Sequence, residues 1–196
     1  MPSPLRLAIS GYGRIGRCFL RALLESPAAH GLQVVAINEP ANLESMAYLT
    51  RYDSTHGRFP GEVGFGDGRL FVDDAPIAVF HGSTPEAVDW AELGIDLLIE
   101  SSGRYGQREE LERFLQAGCP RLLLSHPAHS GGDVDATIIA GINQDSLNGH
   151  ERLVSAASCT TNAVVPLLDL LDREIGIEQL MLTTLHSVMN DQPLID

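Results

Sequence analysis

The sequence predicts a doubly wound α/β fold on a mostly parallel sheet, and three observations carry that expectation. Short apolar runs alternate with stretches of helical period, a glycine-rich turn joins the first run to the first helical stretch, and one segment breaks the alternation as a hairpin. Residues 5–10 are an apolar run of strand length, 15–24 carry a helical pattern, and 34–37 form the next apolar run. Residues 57–80 depart from this order. There Gly66, Asp67 and Gly68 separate two short apolar stretches, which predicts an antiparallel hairpin inserted in the sheet. Thr84, Pro85 and Glu86 read as a helix start, with Thr84 as N-cap and Pro85 at the first helical position. Residues 95–101 predict a buried strand. Residues 107–117 predict a helix on which Leu111, Phe114 and Leu115 share a face, with Gly118 as the stop. Further strands are expected over 122–125 and 137–140. After Ser155 the character changes: 159–174 form one long apolar helix pattern containing Pro166, and 179–188 read as a strand. We divide the chain into a first domain, residues 1–155, and the incomplete opening of an α+β second domain, residues 156–196.

The 196 residues include 13 Lys+Arg against 26 Asp+Glu, a formal net charge of −13. Every one of those cations is an arginine, which excludes Schiff-base chemistry on a lysine and phosphate binding by a P-loop lysine. Such negative charge argues against nucleic acid or an anionic membrane as partner, so small molecules are expected. Apolar runs fall short of the roughly 18 to 20 residues that cross a bilayer. Residues 1–6 lack a basic segment leading into an apolar one, and a cytoplasmic protein is expected. Cys18, Cys119 and Cys159 are odd in number and far apart, fitting neither a disulfide framework nor a C-x-x-C zinc site. His126 and His129, with Pro127 between them, read as loop residues, and no metal site is predicted.

Gly11, Tyr12, Gly13, Arg14, Ile15 and Gly16 form a G-x-G-x-x-G in the context that gives the motif meaning. It follows an apolar strand, opens a helix, and leads to a second strand ending at Asn38 and Glu39, with Glu39 lying 23 residues beyond Gly16. This is the Rossmann signature for a dinucleotide. Gly11 permits the tight turn, Gly13 lets backbone approach the pyrophosphate, Gly16 lets helix and strand pack, and the helix start faces the phosphate charge. A carboxylate at Glu39 accepts hydrogen bonds from a free ribose 2′-hydroxyl and repels a 2′-phosphate, so NAD is the expected cofactor. Arg14 either assists the phosphate or is simply solvated.

Cys159 stands in the run S-C-T-T-N directly before a helix, where free N–H groups and the helix dipole stabilise a thiolate. His186 follows 27 residues later, a distance that one helix and one strand can fold back. Taken alone, the pattern favours a buried inert cysteine and an ordinary histidine. Together, however, residues 11–17, 101–103, 155–162 and 184–187 strongly resemble, in order and spacing, the glyceraldehyde-3-phosphate dehydrogenase family. The resemblance spans the whole chain. It implies that Cys159 adds to an aldehyde, that the thiohemiacetal gives hydride to the nicotinamide, that the thioester is then cleaved, and that His186 is the general base. It further implies that Ser102, Gly103 and Ser125 are cofactor neighbours at strand ends. Ser158 and Thr160 resemble the substrate-site residues that contact the attacking phosphate, although either side chain could instead cap the helix. Relatives assemble as homotetramers, so a homo-oligomer acting on a sugar phosphate is expected.

Some positions depart from the glycolytic pattern. Where those enzymes carry threonines after the histidine, this chain has Met189 and Asp191, which offer no donor to a phosphate. Residues 186–192, 37–40 and 124–127 are similar to the erythrose-4-phosphate dehydrogenase branch. That branch oxidises D-erythrose 4-phosphate to 4-phosphoerythronate, cleaves its thioester chiefly with water, and feeds pyridoxal phosphate synthesis. Glyceraldehyde 3-phosphate oxidation is the alternative. A catalytically incomplete NAD-binding or oligomer-forming fragment is the second. Ser10 replaces a usual asparagine near the pyrophosphate, and Ala163 stands where many relatives carry a second cysteine.

Overall fold

The computed structural model describes residues 3–26 and 31–186. Strand β1 (Leu5–Ser10), helix α1 (Arg14–Glu25) and strand β2 (Leu32–Asn38) make the first crossover, with β1 and β2 parallel. Side chains alternate across β1, so that Leu7 and Ile9 enter one core cluster while Ala8 enters another. The sheet is therefore buried on both faces, as a parallel sheet with crossover helices must be.

Helix α2 (Leu43–Arg51) starts where the Asn42 side chain accepts the Ser45 N–H. It leads to the paired strands β3 (Tyr52–Asp53) and β4 (Gly57–Arg58). Then β5 (Val63–Gly66), β6 (Arg69–Val72) and β7 (Ala75–Phe80) extend the main sheet. The expected hairpin is β5 and β6, joined by Asp67 and Gly68 at φ 49° and 70°, the positive pair a type I′ turn requires. Strand β7 pairs antiparallel with β6 and parallel with β2, which joins the insertion to the parallel sheet.

Beyond it come β8 (Leu97–Glu100), α3 (Arg108–Gln116), β9 (Leu122–Leu124), β10 (Ala136–Thr137), β11 (Leu153–Ser155) and α4 (Cys159–Ile175). The described residues form a nine-stranded sheet in the order β10-β11-β9-β8-β1-β2-β7-β6-β5. Strand order reverses about β1, the place where doubly wound sheets open a crevice at their carboxyl edge.

Three expectations are corrected. Residues 84–87 form only a one-turn 3₁₀ helix (Pro85–Ala87), and Thr84 makes no side-chain cap. The strand expected over 137–140 ends at Thr137. There the Asn143 side chain accepts the Ile139 N–H at 2.7 Å and donates to the Thr137 carbonyl at 2.9 Å, taking the place of a strand neighbour. No strand forms over 179–186. A strand needs a hydrogen-bonded partner, none of the described strands runs beside this segment, and Leu180, Met181, Leu182 and Leu185 are exposed. Residues 187–188 of that expected strand lie outside the described residues, as do Met189, Asp191 and the remainder of the run 187–192. His126 and His129 lie in the loop between β9 and β10. Among the described residues no helix is long and apolar enough to cross a membrane.

Candidate active site

Each glycine of the turn after β1 has a separate steric reason. Gly11 has φ 86°, and a Cβ on it would collide with the Ser102 backbone, so the turns after β1 and β8 are in direct contact. A Cβ on Gly16 would collide with the Gly11 carbonyl and stand 3.2 Å from the Ile9 side chain, so α1 crosses its own strand closely. Gly13 has nothing within 4 Å of where its Cβ would be, leaving its face of the turn open at the start of α1. Unsatisfied N–H groups at that start attract phosphate. Arg14 and Ile15, the first helical residues, are exposed.

The groove above this turn, about 280 Å³, is lined by Gly11, Gly13, Glu39 and Ser102 among the expected residues. Tyr12 and Gly16 support it from beneath. The Tyr12 phenol is buried against Thr50, the hydroxyls 2.8 Å apart, and burial pushes its pKa up to about 12. Only its backbone serves the turn, where its N–H donates to Glu39 Oε2 at 2.6 Å. The Ala41 N–H donates to Glu39 Oε1 at 3.1 Å, so the carboxylate is held at the β2 end of the groove. Gly103 is exposed at φ 73°, and Ser125 continues β9 by donating its N–H to the Glu100 carbonyl at 2.9 Å; neither lines the groove.

Other lining residues were missed in the sequence. Asn38, 8% exposed, exchanges two hydrogen bonds with the Gly82 backbone, at 2.8 and 3.1 Å, and ties the ends of β2 and β7 together. Gly82 and Ser83 follow β7, whose parallel pairing with β2 put its carboxyl end on the binding edge. Arg104 and Tyr105 close the other side.

Cys159 is the first residue of α4 and exposed. Its sulfur shares a hydrogen bond with His186 Nε2 across 3.3 Å. That bond lowers the thiol below its ordinary value; slight burial opposes it, and the Thr160 hydroxyl and N–H add to the lowering. The Ser158 hydroxyl accepts the Thr161 N–H at 3.0 Å and meets the Thr161 hydroxyl at 2.7 Å, the N-cap arrangement. Ala157, just before it, adopts φ 59°, and Asn162 donates to the carbonyls of Ala156 and Ser158. The chain is thereby forced sharply from β11 into α4, which brings the sulfur to the carboxyl edge of the sheet.

Neither Cys159 nor His186 lines the groove. Both belong to the same edge, because β11, β9, β8 and β1 are parallel neighbours. Two strand spacings of about 4.8 Å separate β11 from β8, placing the start of α4 on the order of 10 Å along the edge from the turn after β8.

Residues 5–108 match the family described as glyceraldehyde 3-phosphate dehydrogenase, NAD binding domain, and residues 158–196 match its C-terminal domain. The cradle fits that cofactor: an open glycine at a helix start suits a pyrophosphate, and a backbone-held carboxylate after β2 suits a ribose diol. The cofactor is therefore NAD. The chain belongs to the glyceraldehyde 3-phosphate dehydrogenase family and is an NAD-dependent oxidoreductase.

Proposed function

We propose that this protein oxidises D-erythrose 4-phosphate to 4-phosphoerythronate, with Cys159 as nucleophile and His186 as base, and that the product enters pyridoxal phosphate synthesis. The observation that carries the chemistry is the 3.3 Å contact between the Cys159 sulfur and His186 Nε2 at a helix start, on the sheet edge that holds the NAD groove. The thiolate forms a C–S bond to the aldehyde carbon, and the resulting alkoxide takes a proton to give a thiohemiacetal. His186 removes that hydroxyl proton as the C=O bond reforms. NAD, when bound, accepts the hydride that leaves the same carbon. Water then attacks the thioester carbonyl, the C–S bond breaks, and the acid is released with the thiolate restored.

The positive end of the α4 dipole at Cys159 is suited to an oxyanion on the attacked carbon, and Ser158 and Thr160 stand beside the sulfur as proposed substrate contacts. Gly11, Gly13 and Glu39 are proposed to hold NAD from the groove, with Tyr12, Arg14, Ile15 and Gly16 shaping the helix start, and Ser102, Gly103 and Ser125 at the neighbouring strand ends. The departure from the glycolytic reaction is supported by Met189 and Asp191, which stand where the glycolytic enzymes carry threonines for the substrate phosphate and supply no hydroxyl donor. Residues 1–155 are taken as the NAD-binding domain, 156–196 as the opening of the catalytic domain, and the assembly as a homotetramer.

The test is NADH formation by the whole protein with erythrose 4-phosphate or glyceraldehyde 3-phosphate, each with and without inorganic phosphate. Faster turnover of the four-carbon aldehyde without phosphate is expected. Strict dependence on phosphate with preference for the three-carbon aldehyde assigns the glycolytic reaction instead.

A further inference from the structure

Glu100 ends β8 with 0% of its surface exposed, and the turn after it forms part of the NAD groove. Oxygen Oε1 accepts the Ser102 N–H at 2.7 Å and also the Ser102 hydroxyl. Its main-chain carbonyl accepts the Ser125 N–H at 2.9 Å. One residue thus fixes the chain on leaving β8 and on leaving β9. The other oxygen, Oε2, is buried and makes no hydrogen bond to a described residue. Burial raises the carboxyl above its ordinary value, while the Ser102 and Ser10 hydroxyls, the Ser102 N–H and the His126 charge oppose that rise.

An incompletely paired buried carboxylate costs stability, so fold stability does not account for it. The turn it holds does. Residues 101–103 abut Gly11, and the Ser101 hydroxyl donates to the Gly11 carbonyl at 2.7 Å. The Ser102 hydroxyl gives its proton to Glu100 and accepts the Arg104 N–H at 3.3 Å, so it is occupied within the turn. Glu39 stands at the end of β2, on one side of β1, and β8 lies on the other. A dinucleotide whose adenosine ribose meets Glu39 and whose pyrophosphate lies over Gly13 must extend its second half towards this turn.

We propose that Glu100 is a positioning residue for the nicotinamide half of NAD, acting through the backbone and hydroxyl of Ser102 to hold the 101–103 turn against the glycine turn. The proposal rests on NAD binding and is independent of the aldehyde and of Cys159. A carboxylate binds the two Ser102 protons more strongly than a neutral amide of the same shape, so Glu100→Gln loosens the turn without emptying the site.

The experiment is calorimetric titration of the whole protein with NAD and, separately, with AMP, which occupies only the adenosine half, alongside thermal melting. For Glu100→Gln the expected result is a Kd for NAD raised about tenfold, with the Kd for AMP within about twofold of wild type and the melting midpoint not lowered. Ser102→Ala, which removes the hydroxyl and keeps the N–H, is expected to raise the NAD Kd about threefold with AMP again unaffected. Unchanged NAD affinity in Glu100→Gln overturns the proposal, and so does an equal loss for NAD and AMP. If Glu100→Gln fails to fold, Ser102→Ala decides: a selective loss for NAD upholds the proposal, and no loss or a shared one rejects it.

Discussion

For the sulfur of Cys159 the governing quantity is how much of it carries charge at a given pH. The His186 hydrogen bond favours the thiolate, so the charged form persists to lower pH than in a free thiol. The rate of alkylation by iodoacetamide, followed against pH, should therefore rise with a midpoint below the ordinary thiol value. In His186→Ala the midpoint should move up towards that value, and an unmoved midpoint would assign the lowering to the helix start alone. Cys119 is the internal contrast: burial pushes it up to about 12 and its S–H donates to the Arg121 carbonyl, so it should stay unlabelled while the protein is folded. Cys159→Ser should reduce aldehyde-dependent NADH formation by roughly a thousandfold or more while leaving the Kd for NAD within about twofold, as measured by initial rates and calorimetry. The meeting of Cys159 and His186 was expected through the family resemblance, because the residue types alone favour an inert cysteine and an ordinary histidine. Glu39 was readable as an acid after β2, whereas its bonds to the Tyr12 and Ala41 N–H groups arise from backbone geometry that residue types do not encode.

Among the elements, the β1–α1 turn separates steric from functional demand within one motif. Gly16→Ala places a methyl against the Gly11 carbonyl and should destabilise the fold by about 1–3 kcal/mol, read from chemical denaturation. Gly13→Ala meets open space at φ −70°, so the fold should hold while NAD affinity falls at least tenfold, since the methyl stands where a pyrophosphate must approach. If affinity is unchanged, the pyrophosphate does not cross that residue. Strands β1, β2, β8 and β9 and helices α1, α3 and α4 were legible because each carries an apolar period of its own. The hairpin was legible from Gly66, Asp67 and Gly68. Elements set by distant partners were not. Residues 138–140 are apolar enough for a strand, but Asn143 supplies the hydrogen bonds that end it. Residues 179–186 have strand composition and no neighbour to pair with, and β7 hid its parallel pairing behind an antiparallel one.

On the scale of the whole molecule, the two faces of the sheet hold separate apolar clusters, one around Ile9, Leu20 and Leu70 and the other around Trp90, Phe114 and Leu122. Trp90 is fully buried, and its indole N–H donates to the Pro85 carbonyl at 2.9 Å. Trp90→Ala should therefore cost about 3–5 kcal/mol in denaturation. NAD at a hundred times its Kd should stabilise by about 2.7 kcal/mol, raising the melting midpoint by roughly 5–10 °C, and the rise should be lost in Gly13→Ala. The middle place of β1 also sets a schedule for synthesis. Leu7 faces Val34 on one side, so that edge is closed early, but its other neighbour is Leu97, which leaves the ribosome some 63 residues later. Until then the nascent chain carries an open, apolar strand edge at its centre, a ready template for pairing with another copy. Chains stopped before β8 should thus aggregate, whereas those extended past β9 should stay dispersed.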